Sequence, residues 1–208
     1  MRILVIGATG ATGLEVVKQG LAAGHTITAF VRNPRRMTLT DTKLRVIRGD
    51  ATNVSDLTAA MKGQDAVIVT LGPKSMKDMN QLTAITTRSI VAAMQQAGVQ
   101  RIILMSSFVA LRSQLKFGTK LAARTVMKGM VNDKLSGEQL LRDSELAWTV
   151  VYPTKLTDEA KTGKYRVVGA HERLGMSNSI ARAEVAAAML TLLADHTAVR
   201  KAVAITAH

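Results

Sequence analysis

Short apolar runs alternate with amphipathic segments along the chain, and this alternation predicts an α/β fold. The run Ile3–Ile6 ends at glycine and is typical of a strand buried on both faces of a parallel sheet. Similar runs recur at intervals that leave room for a helix between them. We predict strands at Arg2–Ile6, Thr26–Val31, Leu44–Ile47, Ala66–Thr70, Arg101–Met105, Ala147–Val151, Tyr165–Val168 and Ala202–Ile205.

The segments between these strands have apolar residues at helical spacing, and glycines such as Gly24 and Gly98 stand where helix C-caps belong. We predict helices after the first glycine-rich turn, where Leu14, Val17 and Leu21 recur, and then at Asp56–Met61, Leu82–Ala97, about Thr119–Asp143 and Arg182–Ala194. Strands that alternate with helices of this length predict right-handed βαβ units. We therefore expect a doubly wound parallel sheet of the Rossmann type, with residues 1–208 forming a single domain.

A glycine-rich turn follows the first strand and opens the first helix, and its spacing is GxxGxxG. In this context Gly7 permits a tight turn, Gly10 permits close approach of a pyrophosphate, and Gly13 permits helix–strand packing. Free N–H groups at the helix start would then hold the anion. We expect a dinucleotide to bind here, and the alternative is a purely structural turn. The residues expected to contact the phosphates are Gly7, Thr9, Gly10, Ala11, Thr12 and Gly13, with both threonines as additional hydroxyl donors.

The residue at the end of the second strand discriminates between the two nicotinamide dinucleotides, because it reads the adenosine ribose. This chain has Arg32 there, followed closely by Arg35, and no acidic residue occurs between Glu15 and Asp41. A guanidinium pairs well with a 2′-phosphate, so we expect NADP(H) rather than NAD(H). The alternative is an exposed basic loop that binds no ligand.

Two further segments end strands at the same predicted edge of the sheet. Asp50, followed by Ala51, is placed to accept a hydrogen bond from the adenine amine, or else to cap the next helix. The segment Leu71-Gly72-Pro73 follows the fourth strand, where ligands lie in doubly wound folds. We therefore include these five residues among the expected cofactor contacts.

Composition excludes several classes of protein. The chain has no cysteine, which rules out disulfides, thiolate metal sites and cysteine nucleophiles, and its four histidines are scattered without ligand spacing. We expect no metal. No uncharged stretch approaches the ~20 residues of a membrane span, and the N-terminal run is too short for a secretory signal. These features favour a cytoplasmic protein with no membrane partner.

The formal net charge of +13 favours anionic partners. Five basic residues recur every four positions, and residues 79–132 contain no Asp or Glu. If the segment is one continuous helix, these side chains form a basic stripe, which is a solvated face, a lid for an anionic substrate or a surface for a nucleic acid or acidic protein. Aromatic residues make up 3% of the chain, so we do not expect a nucleic-acid partner. The stripe consists of Arg112, Lys116, Lys120, Arg124 and Lys128.

Taken together, these motifs resemble the atypical short-chain dehydrogenase/reductases, and among them the biliverdin reductase B (flavin reductase) group. The resemblance covers nearly the whole chain. It depends on Gly7–Gly13, Val31-Arg32-Asn33, Gly49-Asp50, Gly63–Val69, Leu71-Gly72, Ser106-Ser107, Leu140–Ser144 and Tyr152-Pro153. It implies NADPH-dependent reduction of flavins, or of linear tetrapyrroles or quinones.

The resemblance also implies roles for residues near the nicotinamide. Ser107 would lie beside the nicotinamide and the substrate as the candidate catalytic residue, with Ser106 among the cofactor contacts, and the backbone of Pro153 and Thr154 would hold the carboxamide. Thr154 replaces a histidine that the resemblance leads us to expect. Ser107 could donate a hydrogen bond or order a water, or it could cap the end of a buried strand.

The proton-donating Tyr-x-x-x-Lys pair of ordinary short-chain dehydrogenases has no counterpart, because neither Tyr152 nor Tyr165 has a lysine four positions later. An acceptor that delocalises charge over a ring, such as a flavin, needs no strong enzymic acid. Lys134 could replace the missing lysine, but a solvated salt bridge with Glu138, one helical turn away, is the simpler interpretation.

We therefore expect an NADPH-dependent reductase of flavins or similar conjugated acceptors, acting on a small anionic and aromatic substrate. The alternative is a non-catalytic NADP-sensing regulator, similar to NmrA, that binds a protein or nucleic-acid partner. The sequence leaves the oligomeric state open, with a monomer favoured.

Overall fold

The computed structural model describes residues 1–72, 82–169 and 171–208, and a large mixed sheet runs through all three ranges. Its strands come from the beginning, middle and end of the chain. In chain order, the strands are β1 (Arg2–Ile6), β2 (Thr26–Val31), β3 (Leu44–Arg48), β4 (Ala66–Val69), β5 (Arg101–Met105), β6 (Ala147–Pro153), β7 (Lys155–Thr157), β8 (Tyr165–Val167), β9 (Ser179–Ala181) and β10 (Lys201–Ala207).

Eight of these strands form the main sheet in the order β3-β2-β1-β4-β5-β6-β10-β8. Neighbouring strands are parallel from β3 to β10, and β8 pairs antiparallel with β10 at the edge. Strand order reverses at β1, because β2 lies on one side of it and β4 on the other. In doubly wound sheets the ligand-binding crevice forms at this switch point, at the carboxyl ends of the strands.

Helices cover both faces of the sheet, which confirms the predicted doubly wound fold. They are α1 (Ala11–Ala22), α2 (Val54–Met61), α3 (Leu82–Ala97), α4 (Phe117–Arg124), α5 (Lys128–Arg142) and α6 (Arg182–Ala194).

Alternate residues of each strand point to opposite faces of the sheet, so each central strand contributes to both apolar cores. Ile3 and Val5 of β1 pack with residues of α1 and α6, such as Val17 and Met189. Leu4 and Ile6 of the same strand pack with residues of α2, α3 and α5. Burial on both faces explains why these strands contain consecutive apolar residues and not only alternate ones.

The helical region that we predicted over about Thr119–Asp143 consists of two helices and not of one. The chain forms α4, breaks at Thr125 with φ −110° and ψ −90°, and begins α5 at Lys128. A separate turn of 3₁₀ helix, Arg112–Gln114, precedes α4. The basic residues between Arg112 and Lys128 therefore do not form one helical stripe.

Two strands that the sequence did not predict, β7 and β9, form a small parallel pair. Each has three residues, which is too short for a periodic apolar pattern to stand out. β7 follows β6 almost directly, so the chain leaves the main sheet just after Pro153.

Candidate cofactor and active site

The glycine-rich turn brings the start of α1 close to β1 and β4. Gly7 has a φ of +89°, a backbone conformation that residues with a side chain rarely adopt. A Cβ on Gly13 would clash with the Gly7 carbonyl oxygen and would lie 2.7 Å from Thr70 Oγ1. Any larger residue at position 13 would therefore push the helix away from the sheet and distort the turn.

The N-terminus of α1 has backbone N–H groups with no acceptor among the described residues, as a binding site for an anion requires. Gly10 is the N-cap and provides no side-chain hydrogen bond, and the first intrahelical bond runs from the Leu14 N–H to the Gly10 carbonyl, at 2.8 Å. The N–H groups of Ala11, Thr12 and Gly13 precede this bond, and the described residues offer them no recorded acceptor. With the positive end of the helix dipole, they form a site suited to a phosphate.

A cavity of about 510 Å³ opens in front of this turn at the carboxyl ends of β1, β2 and β4. Phe30 and Thr86 contribute to its wall, so it has apolar and polar sides. Thr9 lines it, whereas Thr12 is 5% exposed and lies outside the lining, so only one of the two predicted hydroxyl donors faces the cavity. The other predicted cofactor contacts that line it are Gly7, Gly10, Arg32, Asp50, Ala51, Leu71 and Gly72.

Two arginines lie in the wall of the cavity beyond β2. Arg32 directly follows the strand, and Arg36 ends a turn of 3₁₀ helix, Pro34–Arg36, in which the Asn33 side chain accepts from the Arg35 N–H at 3.1 Å. Because of this turn, Arg36 lines the cavity, whereas Arg35, which we predicted, does not. The sequence contains both arginines, and only the turn decides between them.

Asp50 also lines the cavity. The alternative prediction, that Asp50 caps the next helix, is wrong, because Asn53 is the N-cap of α2. The Asp50 carboxylate accepts from the Thr52 N–H and the Thr52 hydroxyl, both at 2.9 Å. These hydrogen bonds, the backbone one first, lower the pKa of Asp50, and the positive charge of Arg32 adds to the effect. The carboxylate is therefore held ionised, as an acceptor at the rim of the cavity.

The fourth and fifth strands bring Gly72 and Ser107 to the same edge of the sheet, since β4 pairs with β5 in parallel register. Pro73, the next predicted contact, lies outside the described residues. Ser107 precedes a turn of 3₁₀ helix, Phe108–Ala110, and its hydroxyl makes no capping hydrogen bond. The described residues therefore show no capping role for the Ser107 side chain, and the residue is partly exposed.

Ser106 is 6% exposed and does not line the cavity, and its predicted contact with the cofactor stays a prediction. Its backbone N–H donates to the Val151 carbonyl at 2.8 Å, and its hydroxyl donates to Glu138 Oε1 at 2.5 Å. Both donors of Ser106 are therefore occupied within the protein. Ser107 has an extended backbone, with φ −149° and ψ 141°. Successive side chains of an extended segment point in opposite directions, which separates the two adjacent serines.

Glu138 is the centre of a buried polar cluster that the sequence did not reveal. Besides the Ser106 hydroxyl, it accepts a hydrogen bond from the Tyr152 hydroxyl, which also receives one from Arg142 at 3.1 Å. The Arg142 guanidinium lies 5.0 Å from the centre of the Trp148 ring. Burial is the main reason why the pKa of Tyr152 is raised, with the negative charge of Glu138 second, so the phenol stays protonated.

The solvated salt bridge that we predicted between Lys134 and Glu138 is wrong, because the two residues are 7% and 3% exposed. The ion pairs recorded among the described residues do not include this one. Burial lowers the pKa of Lys134, and the nearby charges of Glu138 and Asp133 oppose this only in part. Spacing of i,i+4 signals proximity on a helix, but it does not tell which face of α5 is covered.

Pro153 ends β6, and Thr154 follows it, buried against β10. The Thr154 N–H donates to the Ile205 carbonyl, and its hydroxyl bonds to that of Thr206, both at 3.1 Å. The predicted carboxamide contact can therefore not use the Thr154 N–H.

Two further features of the described residues concern metal binding and membrane crossing. No group of three or more His, Asp or Glu side chains among them could hold a metal ion. No helix in the same part of the chain is long and apolar enough to cross a membrane.

Sequence comparison identifies the family. Residues 7–196 match the model of a family described as NAD(P)H-binding, which covers most of the chain. A relative from Streptomyces griseus, (4-alkanoyl-5-oxo-2,5-dihydrofuran-3-yl)methyl phosphate reductase, is 30% identical over 152 residues. That alignment covers 73% of this chain but 46% of the reductase.

Solved structures share the fold over nearly the whole chain. The structure of an anaerobilin reductase from Escherichia coli O157:H7 matches with a TM-score of 0.82 at 24% identity, covering 99% of this chain and 96% of that one. A short-chain dehydrogenase/reductase from Veillonella parvula, in complex with NADP, also has a TM-score of 0.82, at 19% identity, covering 98% of this chain and 93% of that one. The present chain therefore belongs to this NAD(P)H-binding family, and it has a Rossmann-type fold.

Proposed function

We propose that this protein is an NADPH-dependent reductase of flavins or similar conjugated acceptors. One observation carries the proposal. A phosphate-binding turn, a cavity with two arginines, and a serine hydroxyl without a capping partner lie along the same edge of the sheet. A location in the cytoplasm is part of the same proposal and is supported by a chain without cysteine.

In this proposal, each part of the cavity holds one part of the cofactor. The N–H groups at the start of α1 bind the pyrophosphate, and Arg32 and Arg36 pair with the 2′-phosphate. Asp50 accepts from the adenine amine. Bound NADPH supplies a hydride, and the protein supplies position and electrostatics.

We propose that Ser107 contacts the substrate. Its hydroxyl donates a hydrogen bond to the acceptor or holds a water molecule there. Tyr152 cannot take the role of a proton-donating tyrosine, because its hydroxyl is buried and bonded to Glu138. An acceptor that spreads the incoming charge over a conjugated ring takes its proton from solvent, and this favours flavins over simple ketones.

The test is NADPH oxidation by the purified protein with FMN, riboflavin, biliverdin and a quinone in parallel, with NADH in a second series. We expect turnover with at least one acceptor, faster with NADPH. Ser107→Ala should lower kcat about 10- to 100-fold at unchanged NADPH affinity, whereas Ser55→Ala, an exposed serine on α2, should have no effect. Equal activity of the Ser107→Ala variant would remove this serine from the mechanism.

A non-catalytic NADP sensor is the second candidate, and the buried state of the Tyr152 hydroxyl favours it. Such a protein would retain the cofactor cavity and use its surface to bind a partner. Tight NADPH binding without turnover across the acceptor panel would support the sensor and exclude the reductase for these acceptors.

A further inference from the structure

Helix α4 has an unusual distribution of side chains. Phe117 and Leu121, four residues apart and thus on one face, are 84% and 55% exposed, whereas the small residues Thr119 and Ala123 are buried. Val126, just after the helix, is 77% exposed. Surface helices normally direct their large apolar residues towards the core, so α4 is inverted in this respect.

Basic residues surround these apolar side chains. Lys116 is the N-cap of α4, Lys120 and Arg124 follow at intervals of four, and Lys128 begins α5. The ion pairs recorded for the described residues involve none of the four. Since residues 79–132 contain no Asp or Glu, the surrounding sequence does not neutralise this charge. We call residues 116–128 the α4 surface.

Exposed single apolar residues are ordinary, but a group of them beside unpaired cations marks an interaction site. The partner must accept apolar side chains and carry negative charge. A nucleic acid carries negative charge, but its bases stack on aromatic side chains, and Phe117 is the sole aromatic residue on this surface. A nucleic acid therefore satisfies only the second condition. A second copy of the chain would bring like charges together, given the net charge of +13.

We propose that the α4 surface docks on an anionic lipid bilayer. Phenylalanine and leucine enter the interface between headgroups and acyl chains, while lysines and arginines contact the lipid phosphates, as in other interfacial helices. The contact is peripheral, and it does not depend on the reductase activity. It differs from our expectation of no membrane partner, which was based on the lack of a stretch long enough to span a bilayer. Helix α4 also packs on the turn Phe108–Ala110, directly after Ser107, so docking would place the candidate substrate side close to the membrane.

The experiment is cosedimentation of the purified 208-residue chain with vesicles. One set contains phosphatidylcholine alone, and the other contains 30% phosphatidylglycerol. We expect at least tenfold stronger binding to the anionic set, weakened by high salt. Equal binding to both sets, or none to either, would overturn the proposal.

Three variants separate the contributions. Phe117→Ser with Leu121→Ser removes the apolar part, and Lys116→Gln with Lys120→Gln and Arg124→Gln removes the charge. Each should lower the affinity at least tenfold, and thermal unfolding shows that the variants remain folded. A matched control removes the same charge from exposed residues elsewhere, and should bind as the unmodified chain does; it consists of Arg45→Gln, Lys62→Gln and Lys201→Gln.

Two results would overturn the proposal, because they would explain vesicle binding by net charge alone or would show that the α4 surface binds a second copy of the chain. If the control loses as much affinity as the α4 charge variant, only the net charge attracts the vesicles. If the unmodified chain dimerises in sedimentation without binding vesicles, and the Phe117→Ser, Leu121→Ser variant is monomeric, the surface binds a second copy.

Discussion

Arg32 and Arg36 give the cavity a positive wall beyond β2. In our proposal this wall contacts the 2′ position of the adenosine ribose, where NADP(H) and NAD(H) differ. A 2′-phosphate would pair with both guanidinium groups, whereas a 2′-hydroxyl offers them no charge. The third arginine of the segment, Arg35, lies in the same turn but does not line the cavity. Substitution of Arg35 is therefore a control for substitution of Arg32.

We predict that Arg32→Glu lowers the affinity for NADPH about 10- to 100-fold, because a charge-assisted contact worth about 1.5–3 kcal/mol is replaced by repulsion. The affinity for NADH should change little, and Arg35→Ala should leave both affinities as they are. Titration of the protein with each nucleotide measures the ratio. An unchanged NADPH-to-NADH ratio in Arg32→Glu would contradict the proposed 2′-phosphate contact.

Lys134 leads to a prediction about pH. Burial lowers its pKa in the folded chain, so between that value and the ordinary pKa of about 10.4 the unfolded chain binds more protons. In that window the free energy of unfolding rises with pH, by up to about 1.4 kcal/mol per unit. Urea unfolding at pH 7, 8, 9 and 10 should therefore show the unmodified chain gaining stability relative to Lys134→Met.

Lys62→Met is the control for this series, since it replaces an exposed lysine in the same way. Parallel pH curves for the unmodified chain and Lys134→Met would show that Lys134 keeps its ordinary pKa.

Helices α3 and α5 approach each other closely, and this contact supports both the cavity and the Glu138 cluster. The Asp133 carboxylate of α5 accepts from the N–H groups of Thr83 and Ala84, at 2.9 and 3.1 Å, and so caps the start of α3. One turn further along α5, a Cβ on Gly137 would lie 3.0 Å from the Thr83 carbonyl oxygen. The backbone of α3 cannot move there without moving the wall of the cavity.

We predict that Gly137→Ala lowers the free energy of unfolding by about 1–3 kcal/mol, although alanine favours helices, because overpacking outweighs propensity. Gly118→Ala in α4, where nothing lies within 4 Å of the new Cβ, should be neutral or stabilise by up to about 1 kcal/mol. Urea unfolding of both variants tests the pair. A stabilised Gly137→Ala variant would mean that the two helices can separate at little cost.

The cavity, the glycine turn and the carboxyl ends of β1, β2 and β4 come from distant parts of the chain, so a bound dinucleotide stabilises the whole molecule. At a concentration of 100 times Kd, this linkage amounts to about 2.7 kcal/mol. For a chain of this size we predict that NADPH raises Tm by about 5–10 °C and that NADH at the same concentration raises it less. Thermal unfolding with each nucleotide checks this prediction, and equal shifts would contradict a preference for NADPH.

Local sequence was enough to predict the fold class. Buried strands such as β1 contain a run of consecutive apolar residues, the glycine turn has its own spacing, and the doubly wound sheet follows from the alternation of strands and helices. The boundary between α4 and α5 could not be predicted, because Thr125 carries no proline or glycine signal. The extent of the domain, 1–208, and the residues that bind cofactor or substrate stay predictions.

The sequence by itself determined the cofactor turn, the arginine-rich segment after the second strand and the absence of a Tyr-x-x-x-Lys pair, since each depends on neighbouring residues. Only the tertiary structure decided which side chains meet. It placed Arg36 and not Arg35 in the wall of the cavity, directed Ser106 to Glu138, and left Phe117 exposed among lysines and arginines. Burial and charge pairing depend on contacts between residues far apart in the chain, and a linear pattern does not contain them.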